Sequence, residues 1–95
     1  MQVIILYSKP DCHLCEGLQE KLEQLQDLGF ELEIRDITTQ PHWFQAYQYE
    51  VPVLFRQSVA SPSQELPIPR PSPRLTVSQL RQFLQPHLAA THETV

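Results

Sequence analysis

The first third of the chain carries a strand pattern, a helix pattern and a second strand pattern in that order, and this succession restricts the fold more than any other feature. Residues 3–7 are apolar on both alternating faces, which is typical of an inner strand covered on both sides. Residues 30–35 alternate between apolar and charged side chains, which indicates an edge strand with one buried and one solvated face. Because strand–helix–strand connections are right-handed in nearly all proteins, the two strands should be parallel.

The helix between these strands is predicted from leucines spaced by four, four, three and three residues, which place one apolar stripe against a core. These leucines are Leu14, Leu18, Leu22, Leu25 and Leu28. We expect Asp11 to cap the first turn by accepting a backbone N–H, and Gly29 to end the helix in a left-handed conformation.

The middle of the chain should add a short helix and a third strand. Pro41 is suited to the first turn of a helix. We expect the aromatic side chains of that helix to pack in the core: Trp43, Phe44 and Tyr47. Residues 51–55 form a strand pattern with Pro52 at its start, where the missing N–H does least harm.

The last third combines a proline-rich connection with a final helix. Five prolines fall between positions 62 and 73, so we expect an irregular segment with at most a short strand over residues 65–68. Thr76 and Gln79 are spaced as a capping box, and an apolar stripe predicts a helix over about residues 77–85, which Pro86 interrupts. Residues 89–95 should be a flexible tail.

Composition narrows the class of protein. Ninety-five residues suffice for one core, so residues 1–88 should form a single domain. A net charge of −4 with seven lysines and arginines argues against a nucleic-acid partner. No apolar stretch is long enough to span a membrane, and the first strand leaves no room for a signal peptide. We therefore expect a monomeric, cytoplasmic protein.

The two cysteines, Cys12 and Cys15, lie where the first strand gives way to the helix. In a reducing compartment a close cysteine pair is more plausibly catalytic or metal-binding than structural. A dithiol at a helix start allows one sulfur to attack a disulfide and the other to resolve the mixed intermediate. The pattern thus favours redox chemistry on a disulfide-containing protein or a small-molecule thiol.

The order of elements, the Cys-x-x-Cys motif and the Val-Pro pair resemble the thioredoxin-fold family, and within it the glutaredoxin-like proteins. The matching positions are residues 9–15, Asp36 and residues 51–53. The resemblance implies a small mixed sheet of three to four strands flanked by helices, in the order β-α-β-α-β-(β)-α. It further implies a thiol-disulfide oxidoreductase in which Pro52 is cis beside the dithiol and the backbone of Val51 pairs with an extended substrate.

Within this resemblance, Cys12 is assigned as the nucleophile and Cys15 as the resolving thiol. Unpaired N–H groups at the helix start favour an anion, and Lys9 and His13 are close enough in sequence to add positive potential. We therefore predict that the pKa of the Cys12 thiol lies below its usual value. Lys9 and His13 also count as candidate substrate-binding residues, because they could steer an anionic substrate.

Glutathione is the reductant that the resemblance suggests, and no tightly bound cofactor is expected. Typical glutaredoxins carry a Gly-Gly pair where their backbone approaches glutathione, and this chain has no glycine after Gly29. A thioredoxin-type reductant is therefore retained as an alternative to glutathione.

Two other classes of function compete with catalysis. An iron-sulfur cluster shared between two chains would use the cysteines as ligands, whereas a mononuclear zinc site lacks a second cysteine pair. We expect no metal site. A non-catalytic binding domain would instead use Val51 and the proline-rich segment to hold an extended partner.

Overall fold

The structure, a computed structural model, describes residues 2–58, 60–61 and 63–88. The helices and strands are β1 (Gln2–Ser8), α1 (His13–Glu23), β2 (Phe30–Asp36), α2 (Pro41–Tyr47), β3 (Val53–Gln57), β4 (Glu65–Ile68) and α3 (Val77–Leu88). Two short 3₁₀ turns, Gln26–Leu28 and Ile37–Thr39, flank β2. The tail predicted over residues 89–95 lies outside the described residues.

The four strands form one mixed sheet in the order β2-β1-β3-β4. Strand β2 runs parallel to β1, whereas β3 is antiparallel to both β1 and β4. The predicted parallel pairing and the edge position of β2 are both confirmed. Because β1 lies inside the sheet with a helix on each side, its central residues are buried, as its two apolar faces predicted.

Helices α1 and α3 cover the first face of the sheet with an aliphatic core. The side chains that are buried there include Ile4, Leu6, Leu22, Leu25, Leu54, Leu80 and Leu84. The predicted stripe is therefore largely correct. Its first member is an exception, since Leu14 is 53% exposed at the start of α1.

Helix α2 covers part of the second face. Trp43 and Tyr47 pack against Tyr7 of β1, with ring centroids 5.6 Å and 4.5 Å away. The prediction that Phe44 packs with them is wrong, since Phe44 is 40% exposed. Residues four apart share a helix face, whereas the residue next to Trp43 is turned by about 100°.

The predicted solvated face of β2 needs correction at Arg35. Its side chain is only 18% exposed and pairs with Glu65 at 2.9 Å. The ion pair joins the two edge strands, β2 and β4, across the second face of the sheet. A charged residue in an alternating pattern thus reaches a partner that the pattern does not reveal.

Several boundaries differ from the predicted ones. Strand β3 begins at Val53, so Pro52 precedes it and leaves its ladder intact. Helix α1 ends at Glu23, and the 3₁₀ turn that follows closes on Gly29, which has the expected left-handed conformation with φ of 81°. The short strand β4 occupies the predicted residues 65–68.

Helix α3 begins with the predicted reciprocal cap. The N–H of Thr76 donates to the Gln79 side chain at 3.0 Å, and the N–H of Gln79 donates to the Thr76 hydroxyl at 3.1 Å. The prediction that Pro86 interrupts the helix is wrong, because α3 continues to Leu88. A proline in the last turn removes one hydrogen bond near a helix end, where few bonds remain to be lost. None of the helices in the described ranges is long and apolar enough to cross a membrane.

Candidate active site

Cys12 itself is the N-cap of α1. Its sulfur accepts a hydrogen bond from the Cys15 N–H at 3.2 Å, and its carbonyl accepts one from the Glu16 N–H at 3.0 Å. The predicted cap by Asp11 is wrong, since Asp11 has a φ of 61° in the preceding turn. Aspartate is among the few residues that adopt this left-handed conformation readily. The turn at Asp11 thus leaves the Cys12 sulfur, and not a carboxylate, at the positive end of the helix.

The two cysteines form a disulfide with their Cα atoms 5.2 Å apart. Cys15 is 2% exposed on the inner side of α1, whereas Cys12 is partly exposed. Of the two cysteines, Cys12 is therefore the one that a molecule can approach from solvent. This asymmetry suits a pair in which the outer sulfur reacts with an incoming molecule and the inner sulfur then reacts with the outer one.

The Val51–Pro52 peptide bond is cis, and Pro52 is buried. Because Val53 pairs with Tyr7, Pro52 lies beside the end of β1 from which the cysteine-bearing turn departs. The N–H of Val51 donates to the Tyr47 carbonyl at 3.1 Å. An extended substrate would therefore have to pair with the Val51 carbonyl, and not with both backbone groups of this residue.

Lys9 and His13 differ in how far the fold uses their side chains. The Lys9 ammonium donates to the Gln48 carbonyl at 3.1 Å, which ties the turn before α1 to the end of α2. The His13 side chain is 95% exposed and lies 3.7 Å from the Glu16 carboxylate. His13 is thus free to contact a bound molecule, whereas part of the hydrogen-bonding capacity of Lys9 is used within the fold.

A groove of about 390 Å³ opens next to the dithiol and was not predicted. His13 and Pro52 border it, and α1 faces the proline-rich residues 70–75 across it. Lys21 holds these two sides together by donating to the carbonyls of Pro73 at 3.0 Å and Leu75 at 2.7 Å. The sequence signals of the groove are the proline-rich segment, which the binding-domain alternative assigned to an extended partner, and Gly17, a residue that is unfavourable inside a helix.

No group of three or more histidine, cysteine, aspartate or glutamate side chains that could hold a metal ion occurs in the described part of the chain. The dithiol supplies two sulfurs from one chain. A cluster would need its remaining ligands from outside this chain.

Residues 3–85 match the family model described as a glutaredoxin-like domain (DUF836). The chain belongs to this family. The comparison with curated proteins found no match. Family membership together with the geometry above establishes a glutaredoxin-like domain whose Cys-x-x-Cys pair is in the disulfide form.

Solved structures show the same fold. The Northeast Structural Genomics target protein XcR50 from X. campestris is 28% identical with a TM-score of 0.56, over 87% of this chain and 96% of that chain. A malarial protein is 12% identical with a TM-score of 0.61, over 93% and 98% of the two chains. A designed protein is 22% identical with a TM-score of 0.57, over 92% and 76%. The predicted thioredoxin-like fold is confirmed.

Proposed function

We propose that this glutaredoxin-like protein is a thiol-disulfide oxidoreductase that reduces protein disulfides or mixed disulfides through Cys12 and Cys15. The observation that carries the proposal is the asymmetry of the pair, with a partly exposed cysteine at a helix N-cap and a buried cysteine one turn behind it. Val51 and Pro52 frame the approach to the outer sulfur, and Lys9 and His13 lie on either side of it in sequence.

The reaction starts from the reduced dithiol. The Cys12 thiolate attacks a substrate disulfide, which forms a mixed disulfide and releases one substrate thiol after proton uptake. The Cys15 thiolate then attacks the Cys12 sulfur, which releases the second substrate thiol and forms the Cys12–Cys15 disulfide. Two electrons pass to the substrate. A low-molecular-weight thiol such as glutathione, or a dithiol protein, returns two electrons to restore the pair.

The position of Cys12 favours its role as a leaving group more than its rate of attack. If the pKa of its thiol falls from about 8.5 to about 6, the thiolate fraction at pH 7 rises roughly thirtyfold. Intrinsic nucleophilicity falls roughly thirteenfold over the same change, so attack improves only about twofold. Stabilising the Cys12 thiolate therefore mainly speeds its departure during regeneration, when a second reductant thiol attacks the reductant sulfur of a mixed disulfide between the reductant and Cys12.

The proposal includes the setting of the reaction. A cytoplasmic, monomeric protein with glutathione or a thioredoxin-type protein as reductant suits a single close cysteine pair. The usual glycine turn for glutathione has no counterpart here, because the segment after β4 is rich in proline.

The test is turnover of a mixed disulfide by wild type, Cys12→Ser and Cys15→Ser protein. We expect wild type to reduce it, Cys12→Ser to be inactive, and Cys15→Ser to accumulate a covalent adduct on Cys12 that mass spectrometry detects. Titration of the reduced protein should place the pKa of Cys12 below that of a free thiol. Equal activity of wild type and Cys12→Ser would refute the proposal.

The same preparations separate the competing classes. Absence of turnover with every reductant, combined with partner binding that Cys12→Ser leaves unchanged, would establish a binding module. Iron and visible absorbance in anaerobically purified protein would establish the cluster alternative.

A further inference from the structure

The groove beside the dithiol has walls that are largely apolar. Its volume of about 390 Å³ lies within the range of ligand-binding clefts, about 300–1,000 Å³. The apolar residues that line it include Leu14, Leu18, Pro71, Pro73, Leu75 and Leu80. Leu14, the one leucine of the predicted stripe that does not pack in the core, is 53% exposed at this site. A large apolar side chain from a bound molecule would cover these walls and lose contact with water.

Gly17 keeps the helical side of the groove open. Glycine weakens a helix interior relative to alanine, and Gly17 has neither a positive φ nor a close neighbour that would require it. A Cβ atom built at this position meets no atom within 4 Å. Packing within the protein therefore does not explain the glycine, whereas space for a bound molecule does.

The charges that line the groove are positive. Lys21 and Arg70 line it, and no aspartate or glutamate does so within the described residues. The Lys21 ammonium is engaged by two backbone carbonyls. Arg70 is exposed and donates to the Glu50 carbonyl, and since a guanidinium has five N–H donors, it retains donors for a carboxylate. The lining is therefore complementary to an apolar group flanked by an acidic one.

Building on the oxidoreductase activity proposed above, we infer that the groove binds the polypeptide next to the reacting cysteine of a protein substrate. It selects a large apolar side chain with an acidic neighbour. The groove is continuous with the reaction site, since His13 and Pro52 border both. Glutathione supplies carboxylates but no large apolar side chain, so it would leave these walls exposed to water. Protein disulfides are thus the better substrates.

Three peptides test this inference on the wild-type protein. Each peptide carries a mixed disulfide on its cysteine, followed by Leu-Glu, Ser-Glu or Leu-Lys, and a small dithiol regenerates the protein. We expect kcat/KM for the Leu-Glu peptide to exceed that for Ser-Glu about tenfold, through KM, because a leucine side chain becomes buried. Replacing glutamate by lysine should lower kcat/KM about threefold, since Arg70 is exposed to solvent.

Two variants with matched controls place the selection in the groove. Gly17→Leu should abolish the preference for Leu-Glu over Ser-Glu, whereas Gln24→Leu, on the same chain segment but outside the groove, should keep it. Arg70→Gln should abolish the preference for Leu-Glu over Leu-Lys, whereas Arg74→Gln should keep it. A purely structural role of Arg70 would lower activity with both peptides equally. If Gly17→Leu does not fold, Gly17→Ala should show a partial loss of preference together with a higher melting temperature.

The outcomes separate the inference from the proposal beneath it. If wild type reduces the three peptides with equal kcat/KM, or Gly17→Leu and Gln24→Leu retain the same preference, the groove does not select the substrate, although the oxidoreductase activity stands. If wild type reduces neither the peptides nor a small mixed disulfide, both the activity and the inference are wrong.

Discussion

The two faces of the sheet are stabilised by different means. On the first face, α1 and α3 cover an aliphatic core in which Leu22 and Leu84 are fully buried. On the second face, Arg35 lies over the rings of Tyr7 and Trp43 at 5.4 Å and 5.5 Å, and it pairs with Glu65. The first face depends on burial, which has no preferred direction. The second face has its own buried cluster of Ile5, Tyr7 and Ile37 and adds to it hydrogen bonds and charges that require specific partners.

This difference bears on how each face affects the active site. The aliphatic face holds α1, and with it Cys12, against the sheet. On the second face, the ion pair between Arg35 and Glu65 ties β2 to β4 across two intervening strands. We therefore expect substitutions in the aliphatic core of the first face to have large effects on stability. The effect of substituting Arg35 or Glu65 on the second face should depend on which partner is left unpaired.

The largest effect is expected from Leu84→Ala in the aliphatic core. Removing a fully buried leucine side chain should lower the free energy of unfolding by about 2–5 kcal/mol, because apolar burial is lost and a cavity is left. Denaturant titration of both proteins measures the change. Leu14→Ala, at a leucine that is 53% exposed, is the control and should cost much less. Equal costs would contradict the assignment of Leu84 to the core.

A smaller effect is expected from Arg35→Met on the second face. This change leaves the Glu65 carboxylate and the Tyr7 hydroxyl without the donor that contacts them at 2.9 Å and 2.7 Å. We expect a loss of about 1–3 kcal/mol in the free energy of unfolding. The double variant with Glu65→Leu should recover most of it, since no unpaired charge remains. If the two single changes simply add, the ion pair does not couple the edge strands.

Stability at alkaline pH tests the second face without any substitution, because Tyr7 and Tyr47 lie there. Burial raises the pKa of Tyr7, more than the hydrogen bond from Arg35 lowers it, and burial also raises the pKa of Tyr47. The folded protein thus favours the neutral phenols. Their contribution to stability is present below the unfolded pKa of about 10 and is lost as pH rises through the folded pKa.

The free energy of unfolding should therefore fall between about pH 9 and pH 12, and this fall should be smaller in Tyr7→Phe. Phenolate absorbance provides an independent readout of the same titration. A decline of the same size in wild type and Tyr7→Phe would show that Tyr7 does not contribute to it.

The smallest effect is expected at the exposed ion pair between Asp27 and Arg81. The hydrogen bond from Arg81 holds the pKa of Asp27 below its usual value. The contribution of the Asp27 carboxylate to stability is present above its pKa in the unfolded chain. It is lost as pH falls through the lower pKa of the folded protein. Because Asp27 is 62% exposed, Arg81→Gln should barely change the unfolding midpoint at neutral pH. A change as large as that of Arg35→Met would contradict the comparison of the two environments.

Much of the fold follows from local patterns in the chain. The two apolar faces of β1, the leucine spacing in α1 and the reciprocal Thr76–Gln79 cap each involve residues within one element. The position of the dithiol at the start of α1 follows from the same patterns. Periodicity records which side of an element is apolar, and a cap involves neighbours in sequence, so no distant contact needs to be known.

The details of the site depended on backbone geometry and on distant partners. Cys12, and not Asp11, caps α1 because the left-handed turn at Asp11 places the cysteine at the first free N–H groups. The groove exists because Lys21 holds the carbonyls of Pro73 and Leu75, which lie 52 and 54 residues away. Local sequence patterns do not predict contacts between residues that lie so far apart in the chain.

The amino-acid sequence by itself determined the order of elements, the parallel pairing of the first two strands and the placement of two cysteines at a helix start. Only the tertiary structure decided which sulfur is accessible, that Arg35 pairs with Glu65 across the sheet, and that an apolar groove adjoins the dithiol. The physical reason is that local periodicity specifies the chemistry of each surface of a helix or strand, whereas the contacts of that surface depend on what the folded chain brings opposite it.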